Sequence, residues 1–295
     1  MKQLRLGGAT VDLVVEAEGP SFFPEFLLPD WTEEAFAQER DWLLPHHRHA
    51  KSGRLLMSVH AYVIRTGRHV VLVDTCVGND KARPSTKPWD RMQTPWLAEL
   101  GRLGVLPEQV THVLCTHLHV DHVGWNTRLL DGRWVPTFPN AQYLFHRDEY
   151  AHFEADGAGS ARRRSGSDDG CFEDSVLPVM AAGKARLVDG WHEIDETLTL
   201  EPSHGHTPCH VCLNLRSGAA RACFTGDMMH HPIQVARPEW NSRFCWKPAL
   251  SAATRRRFVD RFAETGETVL AAHFAAPTAG RVVAEGERRR FLPLA

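Results

Sequence analysis

Residues 116–124 read THLHVDHVG, and this stretch decides how the chain is read. It gathers His117, His119, Asp121 and His122 into one short run. Neutral imidazoles and a carboxylate are the donors that zinc, iron, manganese or cobalt accept. The preceding VTHVLCT at 110–116 is a buried-strand candidate that feeds directly into His117. On extended backbone His117 and His119, two apart, face the same side. Four donors do not complete two metal sites, so the rest must come from afar. SHGHTPCH at 203–210 offers His204, His206 and His210. ARACFTGD at 220–227 is an apolar strand ending in Asp227, and TVLAAH at 268–273 is another ending in His273. Each donor stands at a strand end or in the loop after it, which is where α/β architectures build their sites.

The rest of the chain is read around these positions. VHAYVIRTGRHVVLVDT at 59–75 predicts two strands joined at Thr66-Gly67, the second ending at Asp74. Leu97, Leu100 and Leu103 recur at helical spacing and predict a helix over 89–103. A short helix is expected over 31–43, an early strand within 1–20, and strands at 141–146 and 195–200. Residues 251–266 predict a helix with Ser251 as N-cap, Phe258, Val259 and Phe262 as its apolar stripe and Gly266 as its stop. The segment 155–170 has few apolar residues and many Gly and Ser, the composition of a flexible loop or lid. No linker or short-period repeat divides the chain. The expectation is one α/β domain over 1–295, with 1–55 as an N-terminal extension or cap.

Composition excludes several classes. Of 295 residues, 43% are hydrophobic and 24% charged, which excludes a disordered, collagenous or coiled-coil protein. The net charge of −2 gives no electrostatic reason to expect nucleic acid or an anionic membrane as partner. Nowhere do 18 apolar residues run together, and the N-terminus shows no signal-peptide core. Seven scattered Cys argue against a disulfide framework and fit a reducing compartment, so a cytoplasmic protein is expected. The 18 His are an excess for which metal binding is the first cause to test.

Taken in order, His117-x-His119-x-Asp121-His122, Gly205-His206-Thr207, Gly226-Asp227 and His273, with Asp74-Thr75 upstream, resemble the metallo-β-lactamase superfamily over roughly 59–274. The resemblance implies an αββα sandwich with the metals at one edge. It implies two divalent ions per chain, zinc first, with iron, manganese and cobalt as alternatives. One ion would take His117, His119 and His206, the other Asp121, His122 and His273, with Asp227 bridging. The implied nucleophile is a metal-bridging hydroxide, available because metal binding lowers the pKa of water from about 15.7 toward about 7. Asp121 would shuttle a proton to the leaving group, and Asp74 would orient a ligand imidazole.

Within the superfamily, the Asp at 227 disfavours true β-lactamases, and His119 disfavours flavo-diiron oxidoreductases, which carry Glu there. Nuclease-branch additions and a glutathione-binding region are not found. GDMMHHPIQV at 226–235 is similar to lactonases and the methyl-parathion-hydrolase-like branch. The substrate implied is a small-molecule lactone or related ester. Phosphotriester or aryl-ester hydrolysis is the enzymatic alternative, and a non-catalytic metal-binding protein of the same fold is the other. A homodimer is compatible, since similar lactonases are often dimers. Departures from the lactonase pattern are His230 where a Tyr is common, Cys76 and Cys209 where Gly is common, and Trp125 where a second Gly is common. His230 is a candidate catalytic proton donor or hydrogen-bond donor to a leaving group.

Other features take plainer expectations. His204 and His210 are expected to bond locally, and His46, His47 and His49 to form a solvated or substrate-side loop. Cys209 and Cys212 read as packing residues, Phe22, Phe23 and Phe26 as core, and Arg162–164 and Arg288–290 as solvated charge. Trp125, Trp240 and Trp246 are candidates for pocket walls or packing.

Overall fold

The computed structural model describes residues 3–155 and 168–294. The chain divides into two compact units. The described residues of the first fall within Lys2–Glu16 and Val59–Gly190, those of the second within Ala17–Ser58 and Trp191–Ala295.

The first sheet carries β1 (Leu4–Leu6), β2 (Ala9–Pro20), β3 (Leu56–Arg65), β4 (Val70–Val73), β5 (His112–Leu114), β8 (Gln142–His146) and β9 (Ala185–Val188), in that spatial order. Strands β6 (Thr127–Leu130) and β7 (Arg133–Pro136) form a separate hairpin. The expected turn at Thr66-Gly67 joins β3 to β4 in antiparallel register, Tyr62 opposite Val73. From β4 onward the pairing is parallel through β5, β8 and β9. Parallel neighbours need crossovers, and the helix Trp96–Arg102 provides the one between β4 and β5. Its Trp96 and Leu100 bury against Leu72, Val113, Trp125 and Phe138. This helix begins later than the leucine spacing suggests. Pro95 stands immediately before it, and a residue preceding proline is driven to extended backbone.

The second sheet runs in sequence order: β10 (His192–Glu193), β11 (Leu198–Pro202), β12 (Val211–Ser217), β13 (Ala220–Phe224), β14 (Thr268–Leu270), β15 (Ala279–Glu285) and β16 (Arg288–Pro293). Only β13 and β14 pair in parallel, joined through the helix Pro248–Thr265. Phe258, Val259 and Phe262 form its buried stripe, packed with Cys223, Val269 and Phe291. Burying each Phe contributes about 1.5–3 kcal/mol. Gly266, at φ +62°, ends the helix in the left-handed conformation that glycine takes without penalty. The start departs from expectation. Pro248 occupies the first turn, where its missing N–H costs nothing. Ser251 is therefore one turn inside, its hydroxyl engaged elsewhere. A third cluster joins Leu27, Leu28, Trp31, Phe36, Leu43, Leu55 and Met57 to Ile233 and Trp240. Its helix Glu33–Leu43 is capped by Thr32, whose hydroxyl accepts from Ala35 N at 3.2 Å.

Candidate metal centre

In the first unit, four of the expected donors stand in the loop that follows β5. Two strand-end loops are fastened together there. Thr75 N donates to His122 O at 2.8 Å, and Gly124 N donates to Cys76 O at 2.7 Å. Gly124 is required: a Cβ there would lie 1.9 Å from Val77 O. Asp74 accepts from Thr116 N at 2.8 Å, from Thr116 Oγ1 at 3.0 Å, and from His122 Nδ1 at 2.9 Å. The carboxylate thereby fixes the His122 ring. The His117 ring centroid lies 4.6 Å from that of His119 and 4.0 Å from that of His122. These rings are buried, whereas Asp121 keeps part of its surface in solvent. Asp121 Oδ1 is 3.6 Å from His122 Nε2.

The hydrogen-bond network fixes which ring nitrogen carries a proton. A carboxylate only accepts, so His122 donates from Nδ1 to Asp74. Thr116 Oγ1 spends its proton on Asp74, so at 3.1 Å it accepts from His117 Nδ1. When neutral, both rings then present an Nε2 lone pair, the form that binds a metal. Sequence reading missed Glu16, which underpins this loop. Its carboxylate accepts from Val77 N at 2.7 Å, Gly78 N at 3.2 Å and Trp125 Nε1 at 2.7 Å. Burial raises its pKa, outweighing those donors. One acid in the pattern VVEAEG carries no local signal for such a role.

In the second unit, the remaining donors surround Asp227, just beyond β13. Asp227 Oδ2 is 3.2 Å from His206 Nε2 and 3.2 Å from His230 Nε2, and Oδ1 is 3.0 Å from His273 Nε2. His206 stands in the turn before β12, and Gly205 gives that turn its backbone: φ is +131°, and a Cβ would lie 2.3 Å from Ser251 N. His273 Nδ1 donates to Ser58 O at 3.0 Å. In the neutral ring its Nε2 turns a lone pair toward Asp227 Oδ1, 3.0 Å away, and a cation between the two satisfies both. A divalent ion is such a cation, and buried imidazoles around a carboxylate form a donor set that fits it. His210 bonds locally, as expected. It accepts from Asp227 N at Nε2, 3.0 Å away, and donates from Nδ1 to Ser203 Oγ at 2.8 Å. His206 and His230 respond oppositely to their surroundings. Without a metal, burial lowers the pKa of His206, but Asp227 overcomes it and lifts the group to about 9. Burial wins at His230, leaving it at about 4 despite Asp227.

A sequence profile described as the metallo-beta-lactamase superfamily matches residues 55–281. The chain belongs to that superfamily. Among curated relatives, an N-acyl homoserine lactonase, AttM, of Azorhizobium caulinodans is 32% identical over 41% of this chain. An N-acyl homoserine lactonase of a Bacillus species is 23% identical over 55% of it. The matched stretches span 41% and 60% of those two relatives. Among solved structures, hydrolase AbOPH superposes with a TM-score of 0.80 at 22% identity, covering 99% of this chain and 97% of that one. AidC, described as a dizinc quorum-quenching lactonase in complex with a product, superposes at 0.78 and 16% identity, covering 100% and 97%. At such identities the likeness establishes the fold, an α/β metallo-β-lactamase fold, as expected.

Several side expectations are corrected. His47 is not solvated but wholly buried, because its segment packs beneath the Trp31 cluster and His231 donates to its carbonyl at 2.8 Å. Phe23 and Phe26 are not core but about half exposed. Arg54 and Arg243 stack on them and cover their faces instead. Trp125 and Trp240 are buried packing residues, whereas Trp246 is exposed. Cys212 packs within β12, and Cys209 precedes it in the turn. Of the expected loop at 155–170, residues 156–167 lie outside the described residues, as do Arg162–164.

Proposed function

We propose that this protein is a dinuclear metal-dependent hydrolase that attacks an ester-like bond, with a lactone or related ester as substrate. The observation that carries the reading is the buried Asp227 carboxylate with His206 Nε2 at 3.2 Å and His273 Nε2 at 3.0 Å. The first unit's loop supplies His117, His119, Asp121 and His122, with His117 and His122 held in the tautomer that donates from Nδ1. The proposed ligand sets are His117, His119 and His206 for one ion and Asp121, His122 and His273 for the other, with Asp227 shared. When bound, such ions, zinc first among them, lower the pKa of water and polarise the attacked carbonyl oxygen.

The protein's own groups do the rest. Asp74, Thr116 and Ser58 engage Nδ1 of three proposed ligand rings and so direct Nε2 toward a metal. Asp121, part-exposed, takes a proton from the attacking water and passes it to the leaving alkoxide. His230, kept neutral by burial, offers a ring N–H to an oxygen developing negative charge. The thiol state of all seven cysteines fits a reducing, cytoplasmic setting. Among the described residues, no helix is long and apolar enough to cross a membrane.

Metal analysis of the purified protein is expected to return about two ions per chain, as the seven-donor set requires. Chelation is expected to abolish activity. A panel of lactones, aryl esters and phosphotriesters compared by kcat/KM tests the substrate class, with lactones expected to lead. Leading phosphotriesters or aryl esters would transfer the reading to that branch. Full metal occupancy with no turnover across the panel would leave a metal-binding protein.

A further inference from the structure

Cys245 lies in the loop before the helix Pro248–Thr265, and that loop grips the turn carrying His206. Trp246 N donates to His206 O at 2.7 Å, and Lys247 N donates to Gly205 O at 3.0 Å. The Cys245 Sγ is thereby set 3.8 Å from His206 Nδ1, on the side of the ring away from Asp227. The same sulfur lies 3.4 Å from Ser251 Oγ, to which it donates. Ser251 Oγ also accepts from Arg255 Nη2 at 2.9 Å. Arg255 is fully buried and donates further to Met228 O at 2.8 Å and Trp240 O at 2.8 Å. Guanidinium cannot accept a hydrogen bond, so Ser251 Oγ is the acceptor toward Arg255.

With two lone pairs, Ser251 Oγ accepts from both Arg255 and Cys245. The Cys245 proton points at Ser251, which leaves only sulfur lone pairs facing His206. His206 must meet them with Nδ1–H. We propose that Cys245 is a positioning residue for His206: it fixes the tautomer in which Nε2 presents its lone pair toward Asp227 and a bound ion. The role parallels that of Asp74 for His122 and of the Ser58 carbonyl for His273, with a soft thiol in place of an oxygen acceptor. A partner on the outer nitrogen both orients a ligand ring and raises its basicity. The inference rests on the metal reading above.

Zinc affinity, measured by competition with a chromogenic chelator, tests it together with the melting temperature of the metal-free protein. Cys245→Ala removes the acceptor and is expected to weaken the binding of one ion about tenfold, with the metal-free melting temperature kept. Cys245→Ser restores an acceptor and is expected to stay within about threefold of wild type. Nitrogen-15 NMR of the zinc-loaded wild type needs no variant and is expected to find His206 protonated at Nδ1. Equal zinc affinity in Cys245→Ala and wild type, or a His206 bare at Nδ1, would overturn the role of Cys245 and leave the metal reading standing. A wild-type protein that takes up no zinc would overturn both.

Discussion

Lowering the pH from 7 to 5 is expected to destabilise the protein through His47 and His231. Both rings are buried, and His231 Nε2 donates to His47 O at 2.8 Å. Burial, with His231 and His46 beside it, lowers His47 to about 3. Burial lowers His231 to about 4, against the pull of its bond to His47. In the unfolded chain each returns to about 6.5. Below that value the unfolded state takes up protons that the folded state refuses. The stability these residues allow is therefore intact above pH 6.5 and lost as pH falls toward 4 and 3. Each contributes a slope approaching about 1.4 kcal/mol per pH unit, or about 2 kcal/mol each between pH 7 and pH 5. Urea unfolding at the two pH values measures the loss. Comparison with His47→Phe, which keeps a flat apolar ring, cancels every other titrating group. The variant is expected to lose about 2 kcal/mol less than wild type over that interval. Parallel pH profiles, agreeing within about 0.5 kcal/mol, would show that His47 titrates alike in both states and that the burial argument fails.

Other substitutions separate binding from chemistry and fold. Asp227→Ala should lose metal and rate together, whereas His230→Ala should keep its metal and change kcat; metal analysis beside turnover reads both, and full metal in Asp227→Ala would contradict a shared ligand. Gly205→Ala drives a Cβ into Ser251 backbone at 2.3 Å on a residue with φ +131°. It is expected to cost about 3 kcal/mol or more and to weaken zinc binding through His206, and an unchanged unfolding midpoint would show that the turn yields freely. Phe258→Ala empties the core beneath the long helix and is expected to cost about 3–5 kcal/mol in denaturant unfolding; a loss near zero would mean that the stripe is not packed as described.

Much of the α/β pattern and the donor positions was legible because both follow short-range rules. Alternating and continuous apolar runs mark strands such as Val70–Val73 and Ala220–Phe224, and a His or Asp at the end of such a run is visible at once. What was not legible depends on partners distant in sequence. Glu16 meets Trp125 across 109 residues, and His231 meets His47 across 184. Neither pairing leaves a mark in either local pattern. The helix starts at Trp96 and Pro248 were displaced for a local reason: proline chemistry outranked leucine spacing in one and a plausible serine cap in the other. Phe23 and Phe26 misled because apolar character alone cannot tell a core ring from one shielded by a stacked guanidinium.

The loop after β4 places Asp74 at φ +59° and Cys76 at φ +53°, so two side chains occupy backbone that favours glycine. Cys76 has no solvent exposure, so its thiol fills space that a hydrogen would leave empty. Relief of about 1 kcal/mol of left-handed strain in Cys76→Gly is opposed by lost packing and by a freer unfolded chain, each of similar size. The balance favours cysteine over glycine by about 1 kcal/mol at this position, beside an Asp74 whose two hydrogen-bonded oxygens hold it in place.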